Sequence, residues 1–184
     1  YHDAEGRCIG YVLRYTKPDG SKDYRPLTWG QIGTVPPEWA LKSWPAPRPL
    51  YGLDLLATRP GAQVLIVEGE KAADAARALF PDMLTVTWPG GALAIRYADL
   101  TPLTGRKCVL FPDNDDPGIE AMAELAAALH KIGTAQVKGI RVADMPPAWD
   151  IADADNWTPA AALEWAKARV FTYDNDVSNG NTPE

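Results

Sequence analysis

Between residues 61 and 170, short apolar runs alternate with alanine-rich segments, and this rhythm restricts the possible folds more than any other feature of the chain. The runs are VLIV at 64–67, LTVTW at 84–88, KCVLF at 107–111 and the segment 136–142. Each is too short for a stable helix, and VLIV has none of the polar alternation of a half-exposed strand, as expected when both faces of a sheet are covered. The intervening stretches read as helices. One spans 70–80 and is stopped by Pro81; another spans about 117–132, with Ile119, Met122, Leu125, Ala126 and Leu129 on one face and Gly133 placed to end it. A last helix is opened by Thr158 and Pro159 and runs to Val170. The expected fold class is therefore α/β, with a mostly parallel four-stranded sheet flanked by helices.

The part before Gly61 has a different texture. Residues 8–16 and 22–29 are rich in β-formers and flank Lys17-Pro18-Asp19-Gly20-Ser21, which predicts an antiparallel hairpin whose second strand, carrying Pro26, is short or at an edge. From 34 to 60 the density of proline and tryptophan predicts an irregular connection packed by its aromatics, then a short helix at 53–58. The expected organisation is a small β-rich accessory segment at 1–60, a catalytic α/β domain at 61–171 and a polar, disordered tail at 172–184.

Composition narrows the function classes. No apolar run approaches the roughly 20 residues that cross a bilayer, and the start carries no secretion signal, so a cytoplasmic protein without a membrane partner is expected. The chain begins at Tyr1 rather than methionine, which suggests a piece of a longer polypeptide. Cys8 and Cys108 are far apart and not spaced with His2 or His130 as zinc ligands, so neither a zinc site nor a disulfide framework is expected. A net charge of −6 argues against a broadly basic nucleic-acid coat while leaving room for a local basic groove.

In a parallel α/β sheet, functional groups collect at the carboxyl ends of the strands, and here those ends are acidic. Glu68 follows VLIV directly, Asp113 and Asp115 follow KCVLF, and Asp150 and Asp153 follow the fourth run. Asp113 and Asp115 are two apart, so on extended backbone their carboxylates project to one side and repel, which a hard divalent cation would relieve. Magnesium accepts one or two carboxylates, water and substrate phosphate. Glu68, from a neighbouring strand, suits either a second cation or proton acceptance from an attacking hydroxyl. Gly69 and Gly118 leave room for phosphate beside the backbone. Asp116, just before Pro117, reads as the helix N-cap, Lys71 as either a phosphate contact or a surface residue, and Asp150 and Asp153 as either ligands or loop residues.

The order of two motifs, Val67-Glu68-Gly69-Glu70-Lys71 after one strand and Asp113-Asn114-Asp115-Asp116-Pro117-Gly118 after another, resembles the TOPRIM domain, and the likeness spans about residues 61–170. The closest resemblance within that family is to DnaG-like primases and the primase-like proteins of phages and plasmids, often fused to a helicase or ATPase. It implies a Rossmann-like TOPRIM fold and a nucleotidyltransferase that makes primers on single-stranded DNA from nucleoside triphosphates. By the same resemblance two magnesium ions, replaceable by manganese, sit on Glu68, Asp113 and Asp115, with Asp150 and Asp153 as further metal-site acids. It also matches Pro89-Gly90-Gly91-Ala92 to a small-residue turn, so that Gly69, Lys71, Gly90, Gly91 and Gly118 are expected near nucleotide phosphates. In the accessory segment, Arg14, Lys22, Arg25, Lys42 and Arg48, interleaved with tyrosines and tryptophans, suit a single-stranded template, although the aromatics equally suit a packed underside. The alternatives are a metal-dependent TOPRIM nuclease of the OLD kind and a non-catalytic module that binds nucleotide or nucleic acid.

Overall fold

The structure, a computed structural model, describes residues 1–30 and 36–174. The start of the proline- and tryptophan-rich connection and most of the expected tail lie outside the described residues.

The N-terminal sheet is antiparallel, with β1 (Gly10–Thr16) and β3 (Glu38–Ala40) on either side of β2 (Lys22–Gly30). The turn closes where the sequence places it, with Asp19 accepting from the Ser21 amide at 2.9 Å and Gly20 at φ 82°. Pro26 does not put β2 at the edge: β2 is the central strand. Its pairing with β3 is confined to Thr28–Gly30, so Pro26 lies opposite Val12 of β1 in the part of β2 that β3 never reaches, and no second neighbour asks for its missing N–H.

A short helix α1 (Leu53–Thr58) leads into the main sheet. There β4 (Val64–Val67), α2 (Glu70–Leu79), β5 (Leu84–Val86), β6 (Lys107–Phe111), α3 (Asp116–Lys131), β7 (Gln136–Ile140), α4 (Pro159–Lys167) and β8 (Val170–Thr172) follow in the chain. The strand order is β5-β4-β6-β7-β8, with the first four parallel and β8 antiparallel to β7. The expected parallel sheet flanked by helices is thus present, with five strands rather than four. The last helix stops at Lys167 instead of running to 170, and the three residues VFT return along β7, a run too short to stand out in the sequence.

Two apolar layers hold the sheet. Val64, Ile66, Cys108 and Leu110 pack with Leu50, Leu56, Met122, Leu125 and Leu129, while Leu65, Val67, Val109 and Phe111 pack with Ala72, Ala73, Ala76, Ala162 and Trp149. Successive residues of β4 and β6 alternate between the layers, which is why VLIV and CVLF are apolar at every position. Cys108 is fully buried, and burial pushes its thiol up to about 12. No helix among the described residues is long and apolar enough to cross a membrane.

Candidate active site

Parallel registry brings the acidic strand ends together. Val67 lies opposite Phe111, so the chain leaves β4 at Glu68 and leaves β6 at Pro112 and Asp113 on the same edge of the sheet. Gly69 caps α2 with φ 81°, a conformation that side chains rarely adopt, and its N–H donates to Thr87 Oγ1 at 3.0 Å. That turn redirects the chain into α2 immediately after Glu68. Gly118 has a different reason: a Cβ there would come within 2.9 Å of the Asp113 carbonyl and 3.0 Å of Asp115 Oδ1. The room it leaves is filled by the aspartate loop itself rather than held open for phosphate. Asp115, not Asp116, is the N-cap of α3, accepting from the Gly118 amide at 2.7 Å. The expected cap is displaced by one residue because Asp116 and Pro117 both already lie in the first turn.

Electrostatics mark the cluster as undercompensated. Burial is the main cause that pushes the Asp113 carboxyl up to about 7, and Glu68, Asp150, Asp115 and Asp153 add to it in that order. The Glu68 carboxyl is also raised, first by burial and further by Asp115, against an opposing hydrogen bond from the Ala92 amide. Its Oε2 is buried without a hydrogen-bond partner. Neither carboxyl faces a cation close enough to offset this. Asp153 is 3.8 Å from Lys71 Nζ on the exposed side of the cluster, and Asp150 Oδ1 accepts from the Ala152 amide at 2.5 Å.

These residues floor a cleft of about 660 Å³. Glu68, Gly69, Glu70, Lys71, Gly90, Gly91, Asp113 and Asp150 line it from the main sheet, with Arg48 beside the Gly90 turn, while Arg14, Lys22 and Tyr24 line it from the N-terminal sheet, on which Trp44 packs at Gly10. An acidic floor thus faces a basic wall across a space of nucleotide dimensions. Asp115, Asp153 and Gly118 adjoin the floor without lining the cleft. Arg25 and Lys42 do not join either. Arg25 pairs with Asp23 at 3.0 Å, on the sheet face that carries Tyr11 and Trp29, and Lys42 lines a second cleft beside Pro45, Pro47 and Pro49. Sequence reasoning missed the part of Glu70, whose Oε1 accepts from the Tyr1 hydroxyl at 2.7 Å and ties the N-terminal segment to the first turn of α2. No pattern in the sequence marks a contact between residues 69 positions apart.

Among the described residues, no three His, Cys, Asp or Glu side chains converge tightly enough to enclose a metal ion by themselves. The donors nevertheless fit magnesium in its usual protein setting. They are hard oxygens, one of them buried and unpartnered, with space beside them for the water and phosphate that complete an octahedron.

A family model described as Domain of unknown function (DUF6371) matches residues 2–114. No curated protein matches the sequence. Among solved structures, the chain is similar to the Aquifex aeolicus primase with its zinc-binding and RNA polymerase domains, with TM-score 0.60 and 17% identity over 91% of this chain and 38% of that one. It is similar to the DnaG primase catalytic domain bound to single-stranded DNA, with TM-score 0.54 and 16% identity over 91% of this chain and 50% of that one. A third likeness is to the complex of bacteriophage T7 lagging-strand DNA polymerase with primase domains of two gp4 subunits bound to an RNA/DNA hybrid and dTTP. There the TM-score is 0.52 and the identity 16%, over 92% of this chain and 75% of that one. The fold is thus that of primase catalytic domains, and the chain spans between about a third and three quarters of the chains it resembles.

Proposed function

The chain belongs to the family described as Domain of unknown function (DUF6371), and from this premise we propose that its cleft carries out magnesium-dependent nucleotidyl transfer, extending a primer on a single-stranded DNA template within a larger replication protein. The observation that carries the reading is the facing of two walls. Glu68 and Asp113 sit half-buried and uncompensated at adjacent strand ends, in one cleft with Arg14 and Lys22 of the hairpin and with Arg48 beside the Gly90 turn. The primase fold of its structural neighbours supports the same reading.

Glu68 and Asp113 would hold the cations, with Asp115 and Asp150 beside them. Magnesium bound there supplies stabilisation of the developing charge on the phosphates and lowers the pKa of a nearby hydroxyl. The attacking 3′-oxygen forms a bond to the α-phosphorus, the bond to the bridging oxygen breaks, and pyrophosphate leaves. Glu68, its affinity for protons raised by burial, is the acceptor for the hydroxyl proton. Arg48 stacks over the Tyr97 ring at 4.8 Å and so is held with its guanidinium toward the Gly90 turn, where it can bind the leaving phosphates. Arg14 and Lys22 meet the template or incoming triphosphate from the hairpin side.

The test incubates the chain with a single-stranded template, nucleoside triphosphates and Mg²⁺. Asp113→Ala and Glu68→Gln should each lower primer synthesis by about 100-fold or more. Undiminished synthesis by Asp113→Ala refutes the assignment. DNA cleavage with metal but without nucleotides would make the cleft a nuclease site instead, and metal-independent nucleotide binding without turnover would make it a binding module.

A further inference from the structure

We infer that Asn114, between the two aspartates of the β6–α3 loop, is a positioning residue that locks the loop carrying Asp150 against the loop carrying Asp113. The inference rests on reading the acidic cleft as a cation site. Its geometric basis is independent of that reading. The Asn114 N–H donates to the Trp149 carbonyl at 2.8 Å, and the Ala148 N–H donates to the Asn114 carbonyl at 2.8 Å. The side-chain Nδ2 donates to the carbonyls of Met145 at 2.6 Å and Pro146 at 3.0 Å. Two carbonyl oxygens converging on one side chain require a donor, so the amide nitrogen is the end that faces them.

An asparagine in a loop often serves its own turn, bonding to backbone within two or three residues. Here the side-chain partners are 31 and 32 residues away, on the segment that follows β7. That segment is otherwise held by the Asp144–Arg169 ion pair and by its own turn bonds, from the Met145 N–H to the Val142 carbonyl and from the Trp149 N–H to the Pro146 carbonyl. None of these reaches the β6–α3 loop. Pro146 and Pro147 have no N–H to donate, and Ala148 sits at φ 59°, a left-handed conformation that a non-glycine residue keeps only when its surroundings enforce it. One anchor is Trp149, buried against Phe111, Trp157 and Trp165. Asn114 is the anchor whose side chain ties the segment to the β6–α3 loop, and Asp150 comes directly after the pinned Trp149.

The consequence reaches both outer acids. Asp150 caps the short turn Ile151–Asp153 through the Ala152 amide, and the Asp150 amide donates to Asp153 Oδ2 at 3.2 Å, so Asp150 and Asp153 move together. Their spacing from Asp113 is then set by a residue that touches neither of them. Asn114 is placed to convert two separate acidic loops into one cluster.

The experiment uses the full chain and compares wild type with Asn114→Ala, Asn114→Asp and Asn114→Gln, reading amide exchange across the molecule and binding of Mn²⁺ alone. Asn114→Ala should speed exchange across residues 145–153 by about tenfold and weaken Mn²⁺ by a similar factor, with amides of α3 and the main sheet unchanged. Asn114→Asp separates positioning from charge. An added carboxylate on a bystander tightens Mn²⁺, whereas here it faces two carbonyl oxygens and should loosen the loop more than alanine does. Asn114→Gln, with the donor on a longer arm, should recover part of the protection. Unchanged exchange over 145–153 in both the alanine and aspartate variants overturns the inference. A wild type that binds no Mn²⁺ overturns the cation reading of the cleft, and the exchange pattern still decides the clamp.

Discussion

Every residue of β4, and every residue of β6 except Lys107, is buried, whereas β1 and β2 together bury only Gly10. On the outer face of the N-terminal sheet Tyr11, Trp29 and Trp39 are 49%, 45% and 43% exposed, and Trp39 lies 5.6 Å from each of the others. The aromatics are therefore no packed underside, although Trp44, which covers the inner face at Gly10, is buried. The difference teaches where each kind of chemistry belongs. Carboxylates forced together need a rigid frame, and the parallel sheet provides it by fixing adjacent strand ends in register. The N-terminal sheet hangs on narrower attachments, chiefly Trp44 against Gly10 and Tyr1 against Glu70.

The contrast is sharpest in stability. Leu110 is fully buried in the middle of the main sheet, and Leu110→Ala should cost about 2–5 kcal/mol, the usual range for a leucine whose cavity cannot collapse. Trp39→Ala removes a larger side chain, yet from a half-exposed position, and should cost no more than about 1 kcal/mol. Urea denaturation of the two variants gives the comparison directly. A tryptophan variant as damaging as the leucine one would mean that the outer aromatic face is a core in its own right.

The same contrast governs what could be read in advance. VLIV and CVLF were legible because burial on both faces leaves a continuous apolar run, and the acids after them were legible because parallel strands must end on the same side. Where burial is partial, signals fade. Strand β3 has only the three residues EWA, and β8 only VFT, so neither carries enough periodicity to separate from its surroundings. Pro26 pointed to an edge strand because the rule concerns the N–H it lacks, whereas its place depends on how far β3 extends along β2. Proline at the second helical position shifted the cap to Asp115, a difference of one residue that only the backbone decides. Arg14, Lys22 and Arg25 look equivalent in the sequence, but alternation along β1 and β2 sends the first two into the cleft and the third to the outer face. Asn114 and Glu70 owe their roles to partners distant in the chain, which no local pattern encodes.

Separability of the two regions can be broken at their seam. A Cβ on Gly10 would run into the Trp44 ring and lie 2.8 Å from the Leu27 carbonyl. Gly10→Ala should therefore tilt or loosen the N-terminal sheet at a cost of about 1–3 kcal/mol, the usual penalty of overpacking. Binding of a fluorescent single strand should fall severalfold while Mn²⁺ affinity is unchanged, because the acidic floor is built entirely from the main sheet and its loops. If Mn²⁺ binding falls in parallel, the two walls form one unit and are not separable.

A further expected effect concerns pH, and it distinguishes the regions by sign. On the N-terminal sheet, hydrogen bonds from Ser21 and Arg25 hold the carboxyls of Asp19 and Asp23 below their ordinary value. Their contribution to stability is complete above that value and is lost only as the solution becomes strongly acidic. Asp113 behaves oppositely, since its folded-state pKa is raised to about 7. Its contribution is fully present below the unfolded carboxylate value of roughly 4 and is lost as pH rises through about 7, when a charge must be held beside the other acids of the cluster. Metal-free protein should accordingly lose thermal stability between about pH 4 and pH 7 and level off above it, and Asp113→Asn should flatten that slope. Adding Mg²⁺ should raise the melting temperature more at the upper end of this window than at the lower, because only the ionised acid attracts the cation. A wild-type slope in EDTA that Asp113→Asn leaves intact would place the titrating group elsewhere and would remove the electrostatic argument that sets the acidic floor apart from the hairpin above it.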